Sequence, residues 1–285
     1  MDMADVLKGA PVAEALAELL KERLLRLEAK NTLPTLAILR VGERSDDLAY
    51  ERGATNRCRK VGVAVRSIAL PSDCSRSELL GAVREINEDA SIHGCLLLRP
   101  LADKEDEYAA CSLLSPDKDV DGITDVSLCT VFKGNGAGFP PCTAQACIEI
   151  LDHYGYSLKG KSIAVIGRSL VVGKPVSMML QARNATVTMC HTKTENLPLI
   201  CRNADIIISA AGKAGIIDER FTNPNQVVID VGINVDREGK LCGDVLFSSV
   251  EPNVAAITPV PGGVGTVTST VLAKHVIEAA EKSIS

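Results

Sequence analysis

The sequence has no block of basic residues, no C-x-x-C pair, no internal repeat and no apolar stretch long enough to span a bilayer. Each absence removes a class of function. The net charge of −5 over 285 residues is spread along the chain, so nucleic acid is not an expected partner. Runs such as "IAVIG" and "DIIISAAG" are too short to cross a membrane. The start, "MDMADVLKGAPV", lacks a basic region followed by an apolar run, so no signal peptide is expected and the expected location is cytoplasmic. The ten cysteines are scattered, and the closest pair, Cys142 and Cys147, has four residues between its members. Zinc spacing is missing, which predicts no metal and reduced thiols that serve as small apolar fillers.

What is present reads as α/β. The 46% hydrophobic content is enough for the cores of two domains. "PVAEALAELLKERLLRLEAK" has apolar residues at helical spacing (Val12, Leu16, Leu19, Leu20, Leu24, Leu27). "TLAILRVG", "VAVRSIAL" and "HGCLLLRP" read as strands separated by helical segments, one of which opens "SRSELL" like a capped helix. The alternation predicts β-α-β crossovers and a parallel sheet. Gly, Pro and Asn cluster between 133 and 141, marking a boundary. Beyond it the alternation restarts with "KSIAVIG", "ATVTMCH", "DIIISAAG" and "QVVIDVGI" as strands, and the chain closes in a helix. The expectation is two α/β domains with a cleft between them, the second Rossmann-like.

The stretch "VIGRSLVVGKP" (165–175) comes close to two phosphate-binding patterns and matches neither. For G-x-x-x-x-G-K-[ST], Gly167 and Gly173 are one residue too far apart, and Lys174 is followed by Pro175 rather than by a metal-binding hydroxyl. For G-x-G-x-x-G, Arg168 and Ser169 lie where the middle glycine belongs. The context is nonetheless that of a nucleotide site, a strand before and a helix after, with Pro175 suited to a first helical turn. An ordinary tight turn is the plainer alternative. The following strand ends in "CHTKTEN", giving His191, Thr192 and Lys193 where an NAD site usually has a carboxylate. With Arg168 nearby, this favours the extra phosphate of NADP, the alternative being a solvated polar loop.

"PDKDVDG" (116–122), "PCT" (141–143), "GRSLVVGKP" (167–175), "DVGIN" (230–234), "GDV" (243–245) and "TPVPGGVG" (258–265) occur in this order over nearly the whole chain. Through them the sequence resembles the methylenetetrahydrofolate dehydrogenase/cyclohydrolase family. The resemblance implies a folate-binding catalytic domain of residues 1–141 with 267–285, an NADP-binding domain of 142–266, and a homodimer. It implies hydride transfer from methylenetetrahydrofolate to NADP, then hydrolysis of the methenyl product at the same site. By the same resemblance Tyr50 stacks on the folate and Asp121 holds its pterin ring. Pro261, Gly262, Gly263 and Val264 form the loop near folate and nicotinamide. Gly167, Arg168, Ser169, Gly173, Pro175, His191, Thr192, Lys193, Ala211, Gly212, Gly232 and Ile233 fall to the cofactor. Each has a plainer reading: Tyr50 as a core aromatic, Asp121 as a turn cap beside Gly122, the glycines as turn geometry.

Two departures stand out. Ala54 occupies the place of the family's lysine in Tyr-x-x-x-Lys, and Leu98 that of the glutamine in a pattern like V-Q-L-P-L-P. Losing one member of a buried polar pair strands the other at a cost of about 1–3 kcal/mol, whereas replacing both with apolar groups can be nearly neutral. Ala54 and Leu98 therefore read as a matched change. Hydrolysis needs proton movements, to which a positioned acid or base commonly contributes about 10²–10⁴-fold. Hydride transfer needs alignment instead. The expectation is a dehydrogenase with cyclohydrolase activity lost or very weak. Arg57, near the face of Tyr50, is the better candidate for a substitute cation, because Arg99 should point away from the side of Leu98, although a plain surface charge is the stronger reading of Arg57. Ala144, Ala146, Thr266 and Val267 are smaller departures. Competing expectations are a noncatalytic folate- or NADP-binding paralogue, a dehydrogenase of another small substrate, and a fully bifunctional enzyme using a substitute cation.

Overall fold

A computed structural model of the chain describes residues 4–284. Its elements run β1 (Asp5–Val6), α1 (Gly9–Glu28), β2 (Thr35–Val41), α2 (Ser45–Val61), β3 (Ala64–Leu70), α3 (Arg76–Glu88), β4 (Gly94–Leu97), α4 (Lys104–Leu113), α5 (Asp125–Lys133) and α6 (Cys142–His153). They continue β5 (Ser162–Ile166), α7 (Gly173–Ala182), β6 (Thr186–Cys190), α8 (Leu197–Arg202), β7 (Ile206–Ser209), β8 (Val227–Asp230), β9 (Asn234–Val235), β10 (Leu241–Cys242), α9 (Phe247–Val250), β11 (Ala256–Ile257) and α10 (Val264–Ser283). The chain divides into two units. The first comprises Ala15–Cys142 and the chain from Ser269 onward, and the second comprises Thr143–Thr268 and the residues up to Glu14.

The first unit is built on a three-stranded parallel sheet in the order β3-β2-β4. Alternation along β2 sends Ala37 and Leu39 to one face, where they pack with Leu79, Val83 and Ile86 of α3 and Ala110 and Cys111 of α4. The other face carries Arg40, which reaches Glu51 on α2. Local chemistry explains the helix ends. Ser75 and Glu78 form a reciprocal capping box at α3, and α2 stops at Gly62 with φ 97°. Asp103 caps α4 and Thr124 caps α5, two helices that the strand-helix alternation does not predict. Arg23 of α1 forks onto Glu278 and Glu281, fastening the end of α10 to this unit.

The second unit carries a six-stranded parallel sheet in the order β1-β11-β8-β7-β5-β6. Its central strands β7 and β8 are buried throughout, as parallel strands covered on both faces must be, whereas β6 at the edge alternates. Ile166, Ile207, Val228 and Ile257 share one core cluster with Cys190 and Cys201, so these thiols do serve as apolar filler. β1 pairs with β11 (Asp5↔Ala256, Val6↔Ile257), and the Gly9 N–H donates to the Gly262 carbonyl at 2.8 Å. Backbone pairing therefore binds Asp5–Gly9 to the second unit.

Candidate active site

In the second unit the sheet order brings the carboxyl ends of β6, β5, β7 and β8 side by side. Ligands of open α/β sheets bind at such ends, where the strand order reverses. The chain leaves β5, turns at Gly167 and enters α7 at Gly173. A Cβ on Gly173 would lie 2.2 Å from the Gly167 carbonyl oxygen, so only glycine lets the helix start this close to the turn. Ser169 fastens the turn, its Oγ accepting from Val172 N at 3.1 Å and its carbonyl from Lys174 N at 3.0 Å. Pro175 is buried in the first turn of α7, while Arg168 and Ser169 stand exposed.

The remaining cofactor candidates fall on the neighbouring strand ends. His191, Thr192 and Lys193 follow β6, Ala211 and Gly212 follow β7, and Gly232 and Ile233 follow β8. His191 is held by two local bonds. Its N–H donates to Thr194 Oγ1 at 2.8 Å, and its Nδ1 accepts from Lys193 N at 3.2 Å. Pro261, Gly262, Gly263 and Val264, at the mouth of α10, line a cavity of about 230 Å3 together with Gly232 and Ile233. The structure thus gathers every cofactor residue and the glycine loop expected from sequence into one unit.

Tyr50, Ala54, Leu98 and Asp121 belong to the first unit. Tyr50 and Ala54 lie one turn apart on α2, and Leu98 follows β4, its N–H donating to Leu39 at 2.9 Å. Arg40 fixes the turn of α2 that bears Tyr50, donating from Nε to Glu51 at 2.9 Å and from Nη1 to the Gly42 carbonyl. Tyr50 is 43% exposed overall, which argues against a core aromatic. Burial first, and then the charge of Asp121, hold its hydroxyl well above the ordinary phenol range. The charge of Asp121 thus reaches the Tyr50 hydroxyl.

Burial pushes Asp121 up to about 6, opposed by the neighbouring Cys142 and by the charge of Arg99, while the Cys142 S–H donates to the Val120 carbonyl at 3.2 Å. Cys142 is itself pushed well above the ordinary thiol range, by burial and then by Asp121, so at neutral pH it is a hydrogen-bond donor and not a nucleophile. Arg99 faces the α4 side, 3.7 Å from Glu107, as strand alternation requires, yet its charge still reaches Asp121. That long-range effect could not be read from alternation alone. Asp119, three residues into the same motif, is the residue that caps the turn, accepting from Ile123 N at 2.9 Å and Thr124 N at 2.8 Å.

Cys142, Asp230 and Asp244 are site-supporting residues that sequence reasoning did not single out. The signal available was their place inside the quoted motifs, with Gly243 beside Asp244 and Pro141 beside Cys142.

Comparison with known proteins bears on both units. The tetrahydrofolate dehydrogenase/cyclohydrolase catalytic domain model matches residues 7–121, and the family's NAD(P)-binding domain model matches residues 141–284. The bifunctional protein FolD of Carboxydothermus hydrogenoformans is 48% identical over 281 residues, covering 98% of each chain. The crystal structure of the FolD methylenetetrahydrofolate dehydrogenase/cyclohydrolase from Campylobacter jejuni superposes with a TM-score of 0.94 at 34% identity, covering 98% of this chain and 99% of that one. The Trypanosoma brucei enzyme, solved with NADP and an inhibitor, gives a TM-score of 0.93 at 33% identity, covering 100% of this chain and 99% of its own.

Proposed function

The chain belongs to the tetrahydrofolate dehydrogenase/cyclohydrolase family, and from that footing we propose that it is an NADP-dependent methylenetetrahydrofolate dehydrogenase with methenyltetrahydrofolate cyclohydrolase activity lost or very weak. It would act in the cytoplasm as a homodimer. One observation carries the reading. Ala54 is 2% exposed and Leu98 4% exposed, so buried hydrocarbon fills both positions where the resemblance puts the lysine and its glutamine partner. Tyr50 stands one turn from Ala54 on α2, and the charge of Asp121 reaches its hydroxyl. The chain can still hold and align a reduced folate, while the groups that would manage protons during water attack are replaced.

NADP, when bound, supplies the hydride acceptor. The chain's residues fit it: a glycine-spaced turn at the start of α7, exposed Arg168 beside it, and His191, Thr192 and Lys193 where an NAD site would carry a carboxylate. Tyr50 offers its ring face to the folate, and ionised Asp121 accepts from its pterin donors. No proton need leave the substrate in the hydride step, so the missing lysine is not required for it. A second reading, full bifunctionality, is favoured by the charge of Arg99 near Asp121 and by the names of the relatives. An arginine keeps its proton and would polarise without acting as a base.

The test is to mix the purified protein with methylenetetrahydrofolate and NADP and follow NADPH, then to supply methenyltetrahydrofolate alone and compare its decay with a protein-free blank. NADPH formation with blank-like decay is the expected result. Accelerated decay would establish the bifunctional reading, and silence in both assays with cofactor bound would establish a noncatalytic protein.

A further inference from the structure

The motifs "DVGIN" and "GDV" each contribute a buried carboxylate that the reaction itself does not use. Asp244 is 0% exposed, and its partners are donors drawn from two loops. Oδ2 accepts from Ser209 Oγ at 3.2 Å, Ala211 N at 2.6 Å and Gly212 N at 3.2 Å. Oδ1 accepts from Lys213 N at 2.9 Å and from Asn234 Nδ2 at 3.0 Å. Three successive backbone N–H groups converging on one anion form a nest, here filled by the protein's own side chain. The loop after β7 and the loop after β8 are thereby tied to the same carboxylate.

Asp230 sets the height of that carboxylate. It accepts from Gly232 N at 2.9 Å, Asp244 N at 3.0 Å and Val245 N at 2.9 Å, and its own N–H donates to Thr258 Oγ1 at 2.7 Å. The spacing leaves no room for side chains between these groups. A Cβ on Gly232 would lie 2.3 Å from Asp244 Oδ1, and one on Gly243 would lie 1.8 Å from Asp230 Oδ2. The glycines of both motifs are therefore the space into which the two carboxylates pack. Ala211, Gly212 and Lys213 are exposed, and each gives its backbone N–H to Asp244.

We propose that Asp244 is a positioning residue for hydride transfer, clasping the loops Ala211–Lys213 and Ile233–Asn234 in the register that the dinucleotide requires. The inference rests on the reading of these strand ends as the NADP site. It predicts that weakening the clasp harms the cofactor and spares the folate. Asn234→Ala removes one strut and leaves the buried carboxylate its other donors, and Asp244→Asn removes the charge itself.

The experiment titrates NADP into wild type and both variants by calorimetry, with melting curves and the KM for each substrate measured alongside. Asn234→Ala should weaken NADP binding on the order of tenfold, the effect of one hydrogen bond to a charged group. Asp244→Asn should weaken it further, with the KM for methylenetetrahydrofolate staying within about twofold of wild type. If folded Asn234→Ala binds NADP as tightly as wild type, or if both KM values rise together, the clasp is only structural and the inference is overturned. If wild type itself binds no NADP, the reading of the site falls first, and the inference falls with it.

Discussion

The two units differ in what their sites retain. At the strand ends of the second unit, the turn at Gly167, the polar trio at His191–Lys193 and the clasped loops all follow the carboxyl ends of neighbouring parallel strands, the place proposed for the dinucleotide. In the first unit Tyr50 and Asp121, the residues proposed for the folate, are both present, but the positions proposed for proton handling carry buried hydrocarbon, Ala54 and Leu98. Binding and alignment are distributed over many backbone contacts. Proton handling rests on one or two side chains, so two substitutions can remove it while the rest of the site stays in place.

The largest effect should come from restoring the missing pair. Ala54→Lys with Leu98→Gln should raise methenyltetrahydrofolate hydrolysis by about 10²–10⁴-fold, the span of a positioned acid or base. Hydride transfer should change little, and progress curves of methenyl decay check both halves. Either substitution alone should be worse than the double, because a lone lysine or glutamine would be buried without its partner. Next in size, Asp121→Ala should lower kcat/KM for methylenetetrahydrofolate by about 10–100-fold, as expected for a lost hydrogen bond to a charged group, and leave NADP binding unchanged.

The mirror-image perturbation belongs to the other unit. Gly173→Ala puts a Cβ 2.2 Å from the Gly167 carbonyl and should cost about 1–3 kcal/mol of stability, with weaker NADP binding in calorimetry. The smallest effect is a pH dependence. Asp121 sits at about 6 when folded, above its ordinary 3.8, so the stability it contributes is present below pH 3.8 and is lost as pH rises through about 6. Asp121→Asn cannot ionise. Its melting temperature should therefore gain on wild type between pH 4 and pH 7, by no more than the equivalent of about 3 kcal/mol. A gap that stays constant over that range would show that Asp121 is not held in the protonated direction by burial.

Much of this was legible in the sequence, for physical reasons that differ by residue. The capping box at Ser75 and Glu78 is local, and helical spacing on α1 needs only neighbours along the chain. The continuous apolar runs of β7 and β8 announced buried parallel strands. The turn at Gly167 and the polar end of β6 were visible because nucleotide sites are built from consecutive residues. The partners of Asp244 were not visible, since Ser209, the 211–213 loop and Asn234 meet it only after three strands have paired. β1 was not visible either: Asp5 and Val6 make a strand only because Ala256 and Ile257 lie at their side. Arg99 reaches Glu107 on α4, yet the reach of its charge to Asp121 depends on enclosure that no spacing rule reports.

One progress curve tests the central claim most directly. With methylenetetrahydrofolate and NADP supplied together, the methenyl product and NADPH are recorded at once, and their ratio is corrected for uncatalysed decay. The account predicts that the two accumulate one for one, because the methenyl product leaves intact. A persistent deficit of the methenyl species against NADPH, matched by the formyl product, would mean that the chain hydrolyses its own product without the lysine, and would contradict the account.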